Sequence, residues 1–181
     1  MVYEKRTFIP KDKIEELITF FDNNASKKEK EKQVIYDYHT EGDFRLIKTR
    51  DYVKIDFKPS SAIEKENSVF ITKKYEEDLI EIFRKIGLFI DLKRFRVRHK
   101  YIYKNMYVTV DDNVKTGNVF RIKFHYETEE EKIQKQEEIN HIFNTLSIEQ
   151  TDISKFQELY AKYRMDWGDL TKDIDEAEFL K

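Results

Sequence analysis

The sequence predicts an α+β fold built on a mostly antiparallel sheet. Three observations lead there. Short stretches with period-two alternation follow one another between residues 33 and 71 and again between residues 95 and 126. Amphipathic segments of helical spacing are inserted among them, rather than alternating with them one by one as in βαβ units. Several strands carry charge on every second residue: Lys54, Asp56 and Lys58 alternate with Val53, Ile55 and Phe57. Arg96, Arg98 and Lys100 alternate with Phe95, Val97 and Tyr101, and Arg121, Lys123 and His125 with Phe120, Ile122 and Phe124. A period of two puts each charged set on one face of its strand. Those faces either meet water, as one side of an antiparallel sheet commonly does, or line a closed or nearly closed barrel. A polar barrel interior implies a polar ligand.

The elements follow in order. Residues 2–9 read as a strand ending at Pro10, which suits the first turn of a helix because its missing N–H is harmless there. Ile14, Leu17, Ile18 and Phe21 carry that helix to about Ala25. The charge run 27–32 reads as a mixed-sign connection. Strands are expected at 33–38, 44–48, 52–58 and 63–71, with Gly42, Asp51 and Pro59-Ser60-Ser61 supplying the turns. Leu79, Ile82, Phe83 and Ile86 mark a helix that Gly87 stops. Residues 95–103 and 106–111 form two strands joined tightly at Lys104-Asn105, and 119–126 a further strand after Gly117. Thr128 and Glu131 make a capping box ahead of a helix whose buried stripe is Ile139, Ile142, Phe143 and Leu146. Ser154 to Gln157 open a last short helix in the same way. The expected organisation is one domain, 1–167, followed by an acidic tail, 168–181.

Composition narrows the function classes. The chain has 181 residues, 34 Lys plus Arg against 36 Asp plus Glu, and no cysteine. Without cysteine there is no disulfide scaffold, thiolate metal site or cysteine nucleophile. A net charge of -2 gives no general drive toward nucleic acid or anionic membrane, so any polyanion site must come from local clustering. Only 4 Gly are present, and neither Gly-rich phosphate motif occurs. No apolar run approaches the length of a membrane span, so a soluble, cytoplasmic chain is expected. His39, His99, His125 and His141 lack zinc-ligand spacing. The tyrosines at 36–38 and 101–107 suit either base stacking or the core.

A collinear set of short motifs carries more. It runs through Glu4 and Arg6, Phe44-Arg45-Leu46-Ile47, Asp56-Phe57-Lys58-Pro59, and Glu64 with Glu66. It continues through Arg96-Val97-Arg98, Val110-Asp111, Thr116-Gly117, and Ser154 to Leu159. In order and spacing, over about residues 2 to 163, this series resembles the CYTH or triphosphate-tunnel superfamily. That superfamily includes class IV adenylyl cyclases, thiamine triphosphatases and inorganic tripolyphosphatases. The resemblance implies a barrel of about eight antiparallel strands around a polar tunnel, with the helices outside. It implies a phosphate-binding set of Arg6, Arg45, Lys54, Lys58, Arg96, Arg98, Arg121 and Lys123, with Arg45, Lys58, Arg96 and Arg98 as principal contacts. It also implies metal ligands Glu4, Glu64, Glu66 and Asp111 for Mg²⁺ or Mn²⁺.

Departures from the family pattern are as informative. Val2 stands for the first acid of the opening strand and Ile47 for the second arginine of its motif. Arg121-Ile122-Lys123 stands where the family carries a metal-binding Glu-x-Glu. Hard divalent cations take oxygen ligands, so two cations there weaken the expected metal affinity. The implied partner is a phosphorylated small molecule: a nucleoside triphosphate, thiamine triphosphate or tripolyphosphate. Membrane is not expected, nor nucleic acid other than an RNA 5′-triphosphate end. The implied function is binding of such a ligand, with metal-dependent hydrolysis or cyclisation if the chain is active as a triphosphatase or cyclase. The alternative is a catalytically degenerate phospho-ligand-binding or scaffold domain.

Overall fold

A computed structural model of the chain describes residues 1–59 and 67–181. Eight strands form one sheet: β1 (Val2–Ile9), β2 (Lys27–Tyr38), β3 (Asp43–Lys48), β4 (Tyr52–Lys58), β5 (Asn67–Thr72), β6 (Ile90–Tyr103), β7 (Met106–Asn113) and β8 (Asn118–His125). The helices are α1 (Lys11–Asn24), α2 (Glu76–Lys85), α3 (Glu129–Thr145), α4 (Ile153–Thr171) and α5 (Glu176–Leu180). The strand order is β1-β8-β7-β6-β2-β3-β4-β5. The expected α+β class and strand number hold. The ladder has two ends, β1 and β5, so its hydrogen bonding does not close into a ring. Among the described residues no helix is long and apolar enough to cross a membrane.

The chain divides into two compact units, residues 1–31 with 97–161 and residues 32–96 with 162–181. In the first, β1 pairs antiparallel with β8 and β8 with β7. Even-numbered residues of β7 and β8 (Met106, Val108, Val110, Phe120, Ile122 and Phe124) are buried against Leu17 and Phe21 of α1 and Ile139, Ile142 and Phe143 of α3. The odd-numbered residues take the opposite face. The β6–β7 turn has Lys104 and Asn105 both at positive φ, 48° and 58°, the geometry a two-residue hairpin requires. The expected N-cap forms, with Glu131 N–H donating to Thr128 Oγ1 at 3.2 Å, but the reciprocal bond of the capping box is shifted by one residue, Glu127 N–H rather than Thr128 N–H donating to Glu131 Oε2, at 2.9 Å.

In the second unit β2, β3, β4 and β5 pair in sequence, all antiparallel. Val34, Tyr36, Tyr38, Leu46 and Val53 are buried on one face, where Tyr38 and Phe44 meet Phe83 of α2 edge-on. Gly87, at φ 86°, follows α2 as the expected stop.

Two expectations need correcting. The charge run 27–32 is the first half of β2, not a connection. Its alternating signs are satisfied across strands, with Lys100 Nζ 3.1 Å from Glu31 and 3.8 Å from Glu29. The last helix is not short: α4 runs for 19 residues, and Asp152 rather than Ser154 caps it, its Oδ1 accepting Ser154 N–H at 2.8 Å. Residues 168–181 finish α4 and form α5, whose Phe179 and Leu180 pack in the second unit. The expected strand at 63–71 is described only from Asn67.

Candidate functional site

The expected cations fall in both units. In the first unit, register alone assembles a charged cluster. Glu4 lies opposite Lys123 and Arg6 opposite Arg121, while Arg121 is in turn opposite Thr109 on β7. Asp111 is two residues along β7 on the same face, and Arg98 of β6 reaches it with both arms of its fork. Arg98 Nε donates to Asp111 Oδ1 and Nη2 to Oδ2, each at 2.6 Å. Asp111 is buried, with its side chain 3% exposed. This is a fixed bidentate pair, the strongest kind of protein ion pair.

The other cations in this cluster are less well matched. Arg121 Nε is 3.6 Å from Glu4 Oε1, an ion-pair distance but beyond a good hydrogen bond, and Nε is buried with no hydrogen-bond partner among the described residues. Burial holds the Arg121 guanidinium below its ordinary pKa; nearby Arg98 and Arg6 push the same way, against Glu4 and Asp111. Arg6 is exposed, and its guanidinium sits over the Phe156 ring at 5.3 Å. That ring is itself stacked on Phe8 at 4.0 Å, so α4 props the cation from one side. Lys123 is half-buried. Like charges directly opposite in a sheet are destabilising, and here Arg6 and Arg121 are directly opposite.

The second unit collects Arg45, Lys54, Lys58 and Arg96. Arg45 lies opposite both Asp37 and Asp56. Its Nε is 3.0 Å from Asp37, and its Nη2 donates to Asp43 at 2.9 Å. Arg94 donates to both oxygens of Asp37 at 2.7 Å. Lys54 Nζ is 2.7 Å from Asp56, which also accepts from Ser68 at 2.5 Å. Arg96 is buried and donates to Gln33 Oε1 at 2.6 Å. Lys58 is exposed, opposite Asp43. Arg94 was missed in sequence because the strand was begun at Phe95; extending the Arg96 and Arg98 alternation back by two residues would have found it.

Of the four expected metal ligands, Glu64 and Glu66 lie outside the described residues. Asp111 has both oxygens committed to Arg98, and Glu4 faces Arg121 and Lys123. No group of three or more acidic or histidine side chains is placed to hold a metal ion among the described residues. The described donors therefore do not fit a divalent cation, which needs several free oxygens at once.

Sequence reasoning also missed a buried ionic network in the second unit. Lys48 Nζ donates to Glu176 at 2.6 Å and to the Tyr36 hydroxyl at 3.2 Å, and lies 2.7 Å from Glu76. Glu176 further accepts from Lys93 at 2.6 Å and from Tyr36 at 2.7 Å. Burial would lower the Lys48 pKa, but the hydrogen bonds to Glu176 and Glu76 outweigh it and raise it. Burial would raise Glu176, yet the donors Lys48, Lys93 and Tyr36 hold it down at about 2. No local signal marks this network, since Lys48 and Glu176 are 128 residues apart. Tyr36 and Tyr38 are core residues of this unit rather than an open stacking platform.

No protein-family model matches the sequence, and no curated protein is similar to it. Solved structures do share its fold. HpAC1 from Hippeastrum, a candidate adenylyl cyclase described as revealing a dominant triphosphatase activity, superposes with a TM-score of 0.62 at 11% identity, over 90% of this chain and 96% of that one. A candidate adenylate cyclase from Vibrio parahaemolyticus gives 0.60 at 11% identity, over 87% and 97%. A chain of the Schizosaccharomyces pombe Mediator head module gives 0.55 at 9% identity, over 81% and 94%. The chain shares the fold of these structures, in agreement with the fold expected from the collinear motifs.

Proposed function

We propose that the chain binds a triphosphate or polyphosphate-bearing small molecule on the charged face of its first unit, and that Arg6, Arg121 and Lys123 hold the oxyanions without a divalent ion. One observation carries this reading. Arg6 and Arg121 are set opposite each other in the ladder with Arg98 close by; the carboxylates acting on Arg121 are Glu4 and Asp111, and Asp111 is already in a bidentate pair with Arg98. Such a surplus costs free energy unless an anion relieves it. Phosphate oxygens suit it, because guanidinium forks donate in parallel to two oxygens and an ammonium adds a point charge.

The choice of a triphosphate rests on the fold's company: HpAC1 is described by its triphosphatase activity, and the Vibrio protein as a candidate adenylate cyclase. In this chain, Arg121 and Lys123 stand where the family's metal-binding acids are expected. They supply in covalent form the positive charge that an ion would otherwise bring. Arg98, fixed by Asp111, frames the site rather than gripping the ligand with its fork. The second reading is an interaction domain that binds no phosphate; the closely matched ion pairs of the second unit favour it, as does the occurrence of the fold in the Mediator head module.

The test is a thermal-shift series with tripolyphosphate in chelator, in Mg²⁺ and in Mn²⁺, run beside a phosphate-release and product assay. Stabilisation in chelator is the expected result. Absence of stabilisation at millimolar ligand in all three conditions contradicts the proposal and favours the interaction domain.

A further inference from the structure

A cavity of about 500 Å³ opens in the second unit beside the Lys48 network, between the β3–β4 turn, the start of α2 and α5. That volume is in the range of small-molecule sites. Lys48, Arg50, Lys73 and Lys181 line it together with Glu76 and Glu176, and Leu180 supplies an apolar wall. None of these residues belongs to the charged face of the first unit.

The charges do not cancel. Among the described residues Glu76 and Glu176 are the side-chain carboxylates on the wall, and three ammonium groups already share them: Lys48 contacts both, Lys73 pairs with Glu76, and Lys93 bonds to Glu176, while Lys181 is paired with Glu178. Arg50 stands on the rim, exposed, with no ion pair among the described residues. Lys73, whose side chain is 37% exposed, spends one N–H on Thr49 O at 2.8 Å and another on Glu76, which leaves a third. Two donors therefore line a half-enclosed space that has surplus positive charge and one apolar side. The chemistry is binding rather than covalent catalysis: a nucleophilic lysine needs a lowered pKa, and Lys48 is held charged by its two carboxylates.

We propose that this cavity is a second site, independent of the first, for a small organic oxyanion on a short apolar body, with Arg50 and Lys73 taking the oxyanion and Leu180 the body. A phosphate monoester and a carboxylate share this chemistry. The test is calorimetric titration of the whole chain with phenyl phosphate, benzoate and inorganic phosphate. Phenyl phosphate or benzoate should saturate with a Kd of about 1 mM or tighter, and whichever binds better names the oxyanion. Inorganic phosphate should bind more weakly, because it leaves the Leu180 wall unused. Arg50→Gln, at an exposed position where folding is not at stake, should weaken the aromatic anion about tenfold. Arg121→Gln should leave it unchanged, and Arg50→Gln should leave tripolyphosphate binding unchanged, so the two sites can fail separately. The proposal is overturned if neither aromatic anion saturates by about 20 mM, or if Arg121→Gln removes the binding and Arg50→Gln does not.

Discussion

The charged sheet faces of the two units are built from the same residue types and solve different problems. In the second unit most of the sheet cations have an acceptor within reach, Arg94 and Arg45 on Asp37, Lys54 on Asp56 and Arg96 on Gln33, although Arg45 Nε, like Arg121 Nε, makes no well-directed hydrogen bond. In the first, Arg98 is matched by Asp111 and Lys100 by Glu31, while Arg121 reaches only Glu4, at a distance too long for a good hydrogen bond, and Arg6 and Lys123 make no ion pair among the described residues. Matched charges of the first kind add little net stability over apolar packing but are costly to break. Unmatched charges of the second kind cost stability as they stand. On the function proposed above, the difference separates charges that hold the fold from charges available to a bound anion.

Breaking a matched pair should have the largest effect. Asp111→Ala strands the Arg98 guanidinium in a nearly buried position, and unfolding in urea should show a loss of about 3–5 kcal/mol. A loss under about 1 kcal/mol would mean the pair is as dispensable as a surface one.

Next in size is the acid sensitivity of the second unit. The Glu176 pKa is depressed to about 2 in the folded chain, so its stabilising contribution is complete above the unfolded carboxylate pKa of about 4.3 and is lost as pH falls toward 2. The shift corresponds to about 2–3 kcal/mol. Glu176→Gln should remove that part of the acid dependence between about pH 5 and pH 2. Identical acid curves for the two proteins would show that Glu176 is not held as described.

The first unit's surplus can be inverted. Arg121→Glu combined with Lys123→Glu should weaken tripolyphosphate binding in chelator about ten- to a hundredfold and strengthen Mn²⁺ binding. Both affinities unmoved would mean that these two strand positions do not face the ligand.

How much of this was legible beforehand follows from the range of each interaction. The period-two charge pattern is local, so the charged faces of β4, β6 and β8 could be read from the sequence, and so could the Lys104-Asn105 hairpin and the Thr128 cap. The strand character of 27–32 was hidden because an all-charged run looks like a solvated connection until its cross-strand partner Lys100 is known. The engagement of Arg98 by Asp111, and of Arg45 by Asp37, could not be told from alternation alone, which places a cation on a face but not beside its acid. The Lys48 and Glu176 network had no sequence signal at all: one partner ends a strand, and the other lies in what composition presents as a tail.

The central claim is that ligand charge is met by the unmatched cations of the first unit and not by the matched ones of the second. Calorimetric titration of tripolyphosphate in chelator against three proteins tests it most directly: the unaltered chain, Arg121→Gln and Arg45→Gln. Arg121→Gln should weaken binding about tenfold, the value of one charge-assisted hydrogen bond, while Arg45→Gln should stay within about twofold. The reverse order, with Arg45→Gln the damaging change and Arg121→Gln silent, would contradict the claim and place the ligand on the second unit.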